Sequence, residues 1–189
     1  VHLLFMTDGV ASRPGRRDNE KRLTAAQDAA QILEVSSFTN LNFPDNKMDS
    51  IPLLDIVKEI ENTIVQTKPE VIYTHHIGDL NIDHQITHKA VVTACRPQPS
   101  FCVEEIYAFE VLSSTEWSAP GVKPFSPNVY IDITGYIDIK KQVLEVYSEE
   151  MRQPPHSRSI DNALRLNALR GNSVGVDYAE AFELIRMRR

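Results

Sequence analysis

The amino-acid sequence predicts a three-layer α/β sandwich built on a mostly parallel sheet. Three observations lead there. Apolar, strand-like runs alternate with stretches of helical period along most of the chain. The runs at Val1 to Thr7 and Val71 to Tyr73 are close to continuously apolar, as in strands covered on both faces. Each of them ends in a polar cluster, the way open α/β sheets place ligand groups beyond the carboxyl ends of their strands. With 189 residues, 42% of them hydrophobic and 24% charged, the chain can bury a core as one domain over its whole length.

The elements follow in order. After the first strand, Thr7-Asp8-Gly9 turns the chain, and a polar loop from Val10 to Asn19 leads to a helix in which Leu23, Ala26, Ala30 and Leu33 recur at helical spacing. Asn40 to Asp49 reads as a polar connection. Leu53, Ile56, Val57, Ile60 and Ile64 then mark a second helix that stops before Pro69, and Val71-Ile72-Tyr73 follows as a strand. A third helix is expected from about Asp83 to Cys95, with Ile86, Ala90, Val91 and Ala94 as its apolar stripe and Pro97 and Pro99 as its stop. Ile106 to Val111 and Val129 to Ile133 read as strands on either side of a Ser/Pro/Gly-rich loop around Trp117, long enough to carry function. The second of these alternates apolar and polar residues and should lie near a sheet edge. Helices are expected at Ile137 to Tyr147 and Ile160 to Leu169, and a last strand at Phe182 to Met187.

Composition narrows the function. A formal charge of −6, with no basic run longer than a pair of arginines, excludes the electrostatic footprint of a nucleic-acid binder and favours a small-molecule partner. No apolar stretch reaches the roughly 20 residues needed to span a bilayer. Val1 opens a strand-like run rather than a signal peptide, so a soluble, cytoplasmic chain is expected. Cys95 and Cys102 are too few for a disulfide framework and fit buried thiols in a reducing compartment.

The richest chemistry lies between Thr74 and His84, where three His, two Asp and one Asn fall within eleven residues directly after a strand. A nucleotide-binding or oxidoreductase reading needs a glycine-rich phosphate turn, and with seven glycines the chain has no such pattern. A nucleophile elbow or a Cys beside a His is also missing. Metal-assisted hydrolysis remains, because imidazole and carboxylate are good zinc ligands. His84 and His88 stand four apart on one helix face, but Gln85 occupies the place of the general base in H-E-x-x-H, which counts against a metalloprotease. The plainer reading is that Asp79, Asn81 and Asp83 organise the turn and cap the helix, which is compatible with catalysis. Parallel strands leave their carboxyl ends on one sheet edge, so Asp8 and the His75 to His84 segment are expected to border one cleft.

The segment Thr74 to Ala90 resembles the second motif of the LmbE/PIG-L family of zinc-dependent N-acetyl-sugar deacetylases. Leu3 to Gly9, Phe43-Pro44-Asp45-Asn46, Pro69 to Tyr73, Phe109-Glu110-Val111 and Pro155-His156-Ser157-Arg158-Ser159 extend the resemblance over most of the chain. It implies a Rossmann-like fold, with His84 as a zinc ligand and Asp79 and Asp83 orienting the loop and its histidine. The family often has His where this chain has Asn81, and Asn can donate a hydrogen bond to an oxyanion but cannot titrate. Asn81 and Asp83 are therefore catalytic candidates together with His156, the candidate proton donor. Asp8, Arg22, His76, Asp79 and Arg158 are candidate substrate contacts. Ala25 and Glu34 depart from the family's Arg-x-x-Glu and Leu-Gly pattern around Arg22.

The family's His-Pro-Asp-Asp-Glu motif, which supplies two further zinc ligands and the general base, does not occur in these residues. There is no initiator Met before Val1, and an opening strand, this motif and a first helix are expected to lie upstream. The resemblance implies hydrolysis of an N-acetyl group from an amino sugar or its conjugate, with acetate as a product and a homo-oligomer as the assembly to test. The rival is an inactive or binding-only α/β domain, on the ground that one ligand does not make a catalytic zinc site.

Overall fold

The computed structural model describes residues 1–7, 9, 18–99 and 101–189, with 18–20 described in backbone only. Asp8 lies outside the described residues, so the expected cleft shared by Asp8 and His84 does too. The described residues form a mixed α/β structure with five α-helices and two sheets. In chain order the elements are β1 (His2–Thr7), α1 (Asp18–Ile32), β2 (Ser37–Phe43), α2 (Leu53–Thr67), β3 (Val71–His75), α3 (Ile82–Ala94), β4 (Glu105–Phe109), β5 (Val129–Asp132), α4 (Ile137–Val146), α5 (Ile160–Asn172) and β6 (Ala179–Met187). By its contacts the chain divides into two compact units, Val1–Asn42 with Tyr130–Ala181, and Phe43–Val129 with Phe182–Arg189.

In the first unit β1 pairs with β2, and α4 packs against both α1 and α5. Helix α1 buries Ala26, Ala29 and Ala30, whereas Leu23 and Leu33, which share its apolar period, are 46% and 48% exposed near its ends. Ser159 caps α5 by accepting from the Asn162 amide at 3.2 Å. Near the end of that helix Gly171 is required by close approach: a Cβ there would stand 2.7 Å from the Tyr178 nitrogen and the Val176 oxygen.

The second unit holds the polar segment singled out above. Helix α2 buries Ile56, Val57, Ile60 and Ile64 on one face, as their spacing requires, and Lys68 ends it in the left-handed conformation, at φ 45°, just before Pro69. That helix packs on α3, and α3 lies on β3. Strand β3 runs parallel to β4, with Val71 opposite Glu105 and His75 opposite Phe109.

Two expectations are corrected. Ser37–Phe43, which overlaps the expected polar connection, is strand β2. Two Asn among its seven residues break the apolar alternation that signals a strand. The four-stranded sheet, of order β3-β4-β6-β5, is mixed rather than mostly parallel, because β6 pairs antiparallel with β4. Strand direction is set by the path of the connecting chain and leaves little mark on composition, and an antiparallel strand on a parallel pair is common. Strand β5 is at the edge of the sheet, as its alternation indicates.

Candidate active site

The site grows from the end of β3. His75 is the last residue of that strand, and the chain then crosses from His76 to Asn81 before α3 begins. Asn81 caps the helix, its Oδ1 accepting from the Asp83 amide at 2.8 Å. Its Nδ2 has no hydrogen-bond partner among the described residues. Asp79 is fully buried and gathers the loop around it. Oδ1 accepts from the Asn81 amide at 2.8 Å and from the Ser114 hydroxyl, and Oδ2 accepts from Thr115 Oγ1 at 2.7 Å. His84 Nδ1 lies 3.0 Å from Oδ1. Burial pushes the Asp79 carboxyl up, but the donors from His84, Ser114, Thr115 and Asn81 outweigh it and hold the group well below the usual carboxylate range.

His84 is thus a partly buried imidazole whose Nδ1 faces a carboxylate and whose Nε2 has no hydrogen-bond partner among the described residues. On its flank His75 stacks against it, with ring centroids 4.1 Å apart and planes at 23°. Burial pushes the His75 imidazole down to about 3, and the neighbouring His84 acts in the same direction. His88, one turn further along α3, reaches back so that its Nδ1 lies 2.8 Å from the His75 carbonyl oxygen. That contact accounts for the His84/His88 spacing without a shared ligand.

Asp83, the other acid of the segment, is engaged elsewhere. Its carboxylate accepts from the backbone amides of Asn46 at 2.6 Å and Met48 at 3.0 Å, pinning the Phe43 to Met48 stretch against the start of α3. Burial raises its pKa, and these two amides only partly offset the rise.

A second buried cluster closes the other side of the loop. His76 is fully buried, with Nδ1 3.2 Å from Glu183 Oε2 and Nε2 3.0 Å from the Lys123 carbonyl oxygen. Glu183, from β6, also accepts from Lys123 Nζ at 2.9 Å and from the Ser126 amide at 2.6 Å. Between these groups Gly78 leaves no room for a side chain, since a Cβ there would sit 2.0 Å from the Lys123 carbonyl oxygen. Burial raises the Glu183 carboxyl, but Lys123, Ser126 and His76 outweigh it and hold the group below its ordinary value of 4.5.

The sign of the pH effect follows. With a folded pKa below the unfolded one, Glu183 contributes stability above pH 4.5 that is lost as the pH falls through the depressed value. Glu183→Gln is expected to cost about 1–3 kcal/mol at neutral pH and to flatten that part of the acid limb. Urea unfolding at a series of pH values, compared between parent and variant, measures both; equal slopes below pH 4.5 would show that Glu183 does not contribute there.

The remaining candidates among the described residues, Arg22, His156 and Arg158, lie in the first unit, where Glu150 holds the two arginines. Arg22 contacts its Oε1 through Nε at 2.9 Å and Nη2 at 2.8 Å, and Arg158 Nη1 lies 3.9 Å from Oε2. His156 Nδ1 accepts from the Arg158 amide at 3.0 Å. Arg22, His156 and Arg158 are therefore neighbours, as Asp79, Asn81 and His84 are in the second unit.

Sequence reasoning misses Ser114, Thr115, Lys123, Glu150 and Glu183. Ser114 and Thr115 meet Asp79 across 35 and 36 residues of chain. The only advance signal is the length of the loop around Trp117.

The donors present do not complete a metal site. Among the described residues no group of three His, Cys, Asp or Glu is placed to hold an ion. His84 has the arrangement of a ligating histidine, a carboxylate behind one ring nitrogen and no partner among the described residues at the other, but one imidazole is not a site.

The fold is shared with several solved structures, among them the following three. The conserved protein TT1542 from Thermus thermophilus is 23% identical with a TM-score of 0.75, over 96% of this chain and 79% of that one. The N,N'-diacetylchitobiose deacetylase from Pyrococcus horikoshii is 17% identical with a TM-score of 0.75, over 97% of this chain and 72% of that one. GalB, the 4-carboxy-2-hydroxymuconate hydratase from Pseudomonas putida, is 20% identical with a TM-score of 0.73, over 100% of this chain and 85% of that one. Residues 1–95 match the family model described as PIG-L, GlcNAc-PI de-N-acetylase. The chain belongs to the PIG-L family. No helix among the described residues is long and apolar enough to cross a membrane.

Proposed function

We propose that the protein is a zinc-dependent N-deacetylase that hydrolyses the N-acetyl group of an amino sugar or its conjugate. Water is consumed, and acetate and a free amine are released. The observation that carries the proposal is His84 in the first turn of α3, its Nδ1 against the buried Asp79 and its Nε2 unpartnered among the described residues. This is the carboxylate-backed imidazole used by metal-ligating histidines. Membership of a family described by GlcNAc de-N-acetylation, and a shared fold with a diacetylchitobiose deacetylase, support the reaction type.

Within this chain His84 would hold the zinc, with Asp79 fixing its ring, and the ion would supply Lewis-acid activation of the acetamide carbonyl and of the attacking water. The Asn81 amide nitrogen, left over from helix capping, donates to the oxygen of the acetamide as charge develops on it. Asp83 holds the Phe43 to Met48 stretch beside these groups. His156 as proton donor to the leaving amine, and Asp8, Arg22, His76 and Arg158 as substrate contacts, rest on the family resemblance. Two buried free cysteines accord with a reducing, cytoplasmic setting. A homo-oligomer and a single domain over the whole chain complete the proposal.

The second reading, an inactive or binding-only domain, is favoured by one observation, the lack of a three-donor group among the described residues. A hydratase with the same fold also shows that this fold alone does not fix the reaction. Acetate release from free and conjugated N-acetylglucosamine, measured with zinc content, separates the two. Acetate formed in step with free amine and abolished by a chelator is the expected result. Zinc bound with no acetate from any N-acetyl sugar would leave the binding-only reading.

A further inference from the structure

The loop between β4 and β5 is tied down at both ends of a short turn, and the turn carries the chain's one tryptophan. Thr115–Trp117 forms a single 3-10 turn. On its near side Ser114 and Thr115 donate to Asp79, and Glu116 folds back to accept from the amides of Ser113 at 2.6 Å and Ser114 at 3.1 Å. On its far side the Ser118 hydroxyl donates to the Gly78 carbonyl, and further on Lys123 is held through its carbonyl by His76 and through its Nζ by Glu183. Trp117 therefore sits one residue from a hydrogen bond to Gly78 and two from one to Asp79, the carboxylate that faces His84.

Despite that rigid mounting, Trp117 is 51% exposed. A turn organised only for packing would turn its largest apolar ring inward, because a buried tryptophan contributes more contact area than any other side chain. A half-exposed indole on a stiff turn costs little side-chain entropy when a ligand settles on it, and aromatic rings of this kind dominate binding energetics where they occur at contact surfaces. The face of a pyranose ring is a plate of C–H groups that matches an indole in size and polarity, while its rim of hydroxyls is left for polar partners.

We propose that Trp117 is a sugar-binding platform, on which the pyranose ring of an N-acetylhexosamine stacks beside the Asp79/His84 cluster. The ligand class is taken from the proposed deacetylase function. The platform itself rests on the exposure and double anchoring of the turn and can be tested without any hydrolysis.

Because the chain has one tryptophan, its fluorescence on excitation at the red edge of the indole band, where the six tyrosines absorb little, reports on this residue alone. Titration of the protein with N-acetylglucosamine and its β-1,4-linked disaccharide should give a saturable quench and blue shift, unchanged by a chelator. Trp117→Ala should raise KM for the sugar about tenfold or more with kcat within about twofold, and Trp117→Phe should recover most of that loss, the pattern of lost ground-state binding. The thermal midpoint should fall only modestly, since the indole is half in solvent; a merely structural role would lower kcat along with it. If the protein releases acetate but its fluorescence is unchanged at sugar concentrations that saturate turnover, or KM is unaffected by Trp117→Ala, the platform is overturned and the deacetylase function stands. Saturable fluorescence change without acetate release would support the platform and overturn the deacetylase function. Neither signal would overturn both.

Discussion

Asp79→Ala is expected to cost about 3–5 kcal/mol of folding stability, the usual effect of removing one partner from a buried, hydrogen-bonded charge cluster. The side chain is wholly out of solvent. Its loss would leave Ser114 Oγ, Thr115 Oγ1 and the Asn81 amide without their acceptor, and His84 Nδ1 without the carboxylate it faces. Against a typical total of about 5–15 kcal/mol, that is enough to unfold a marginal domain. Asp79→Asn is the informative comparison. Placed with its carbonyl oxygen at the Oδ1 position, an amide keeps the contacts to Asn81, Ser114 and His84, while Thr115 Oγ1 can turn and accept from the new NH2. The fold should then lose only about 1 kcal/mol, the net value of one hydrogen bond. What disappears is the negative charge behind the imidazole, so metal affinity or turnover should still fall about 10–100-fold. Urea unfolding of both variants checks the first part, and zinc binding by Asp79→Asn the second. Equal stability of the alanine variant and the parent would show that the cluster does not hold the loop.

The amphipathic helices are legible in the sequence because their burial repeats at short range. All four buried residues of α2 belong to the stripe expected for it, and Ala90 and Val91 do the same for α3. Strand β2 is not, because its polar residues interrupt the pattern, and the direction of β6 is not, because direction depends on the route of the chain between β4 and β6. The site divides along the same line. Asp79, Asn81 and His84 fall within one loop and the first turn of one helix, so a local reading brings them together. Ser114, Thr115 and Glu183 contribute common side chains whose contacts with Asp79 and His76 span at least 35 residues, and a Ser/Thr-rich loop has the same composition whether or not its hydroxyls reach a buried acid. Asp83 shows the converse. Its position beside His84 suggests support for that ring, yet in three dimensions its oxygens meet the Asn46 and Met48 amides, and Asp79 faces the ring.

His84→Ala and Asn81→Ser should fail in different ways, and the difference tests the proposed chemistry. If His84 is a metal ligand, its removal takes away both the ion and the chemistry that the ion supplies, so bound zinc should be lost. Turnover should drop by about 1,000-fold or more, the equivalent of roughly 4 kcal/mol of transition-state stabilisation. The fold should survive, since His84 is only partly buried and Asp79 keeps its bonds to Ser114, Thr115 and Asn81. Asn81 serves two purposes that a single alanine replacement would confound, because its Oδ1 caps α3 while its Nδ2 is the candidate donor to the reacting oxygen. Serine separates them: it caps a helix as well as asparagine does, but its shorter side chain leaves no N–H to present. Asn81→Ser should therefore keep its zinc and its thermal midpoint and lose about 100-fold in turnover, the cost of one oxyanion donor. Acetate release and zinc content measured on both variants give the answer. Full zinc occupancy in His84→Ala would exclude it as a ligand, and undiminished turnover in Asn81→Ser would leave Asn81 with helix capping alone.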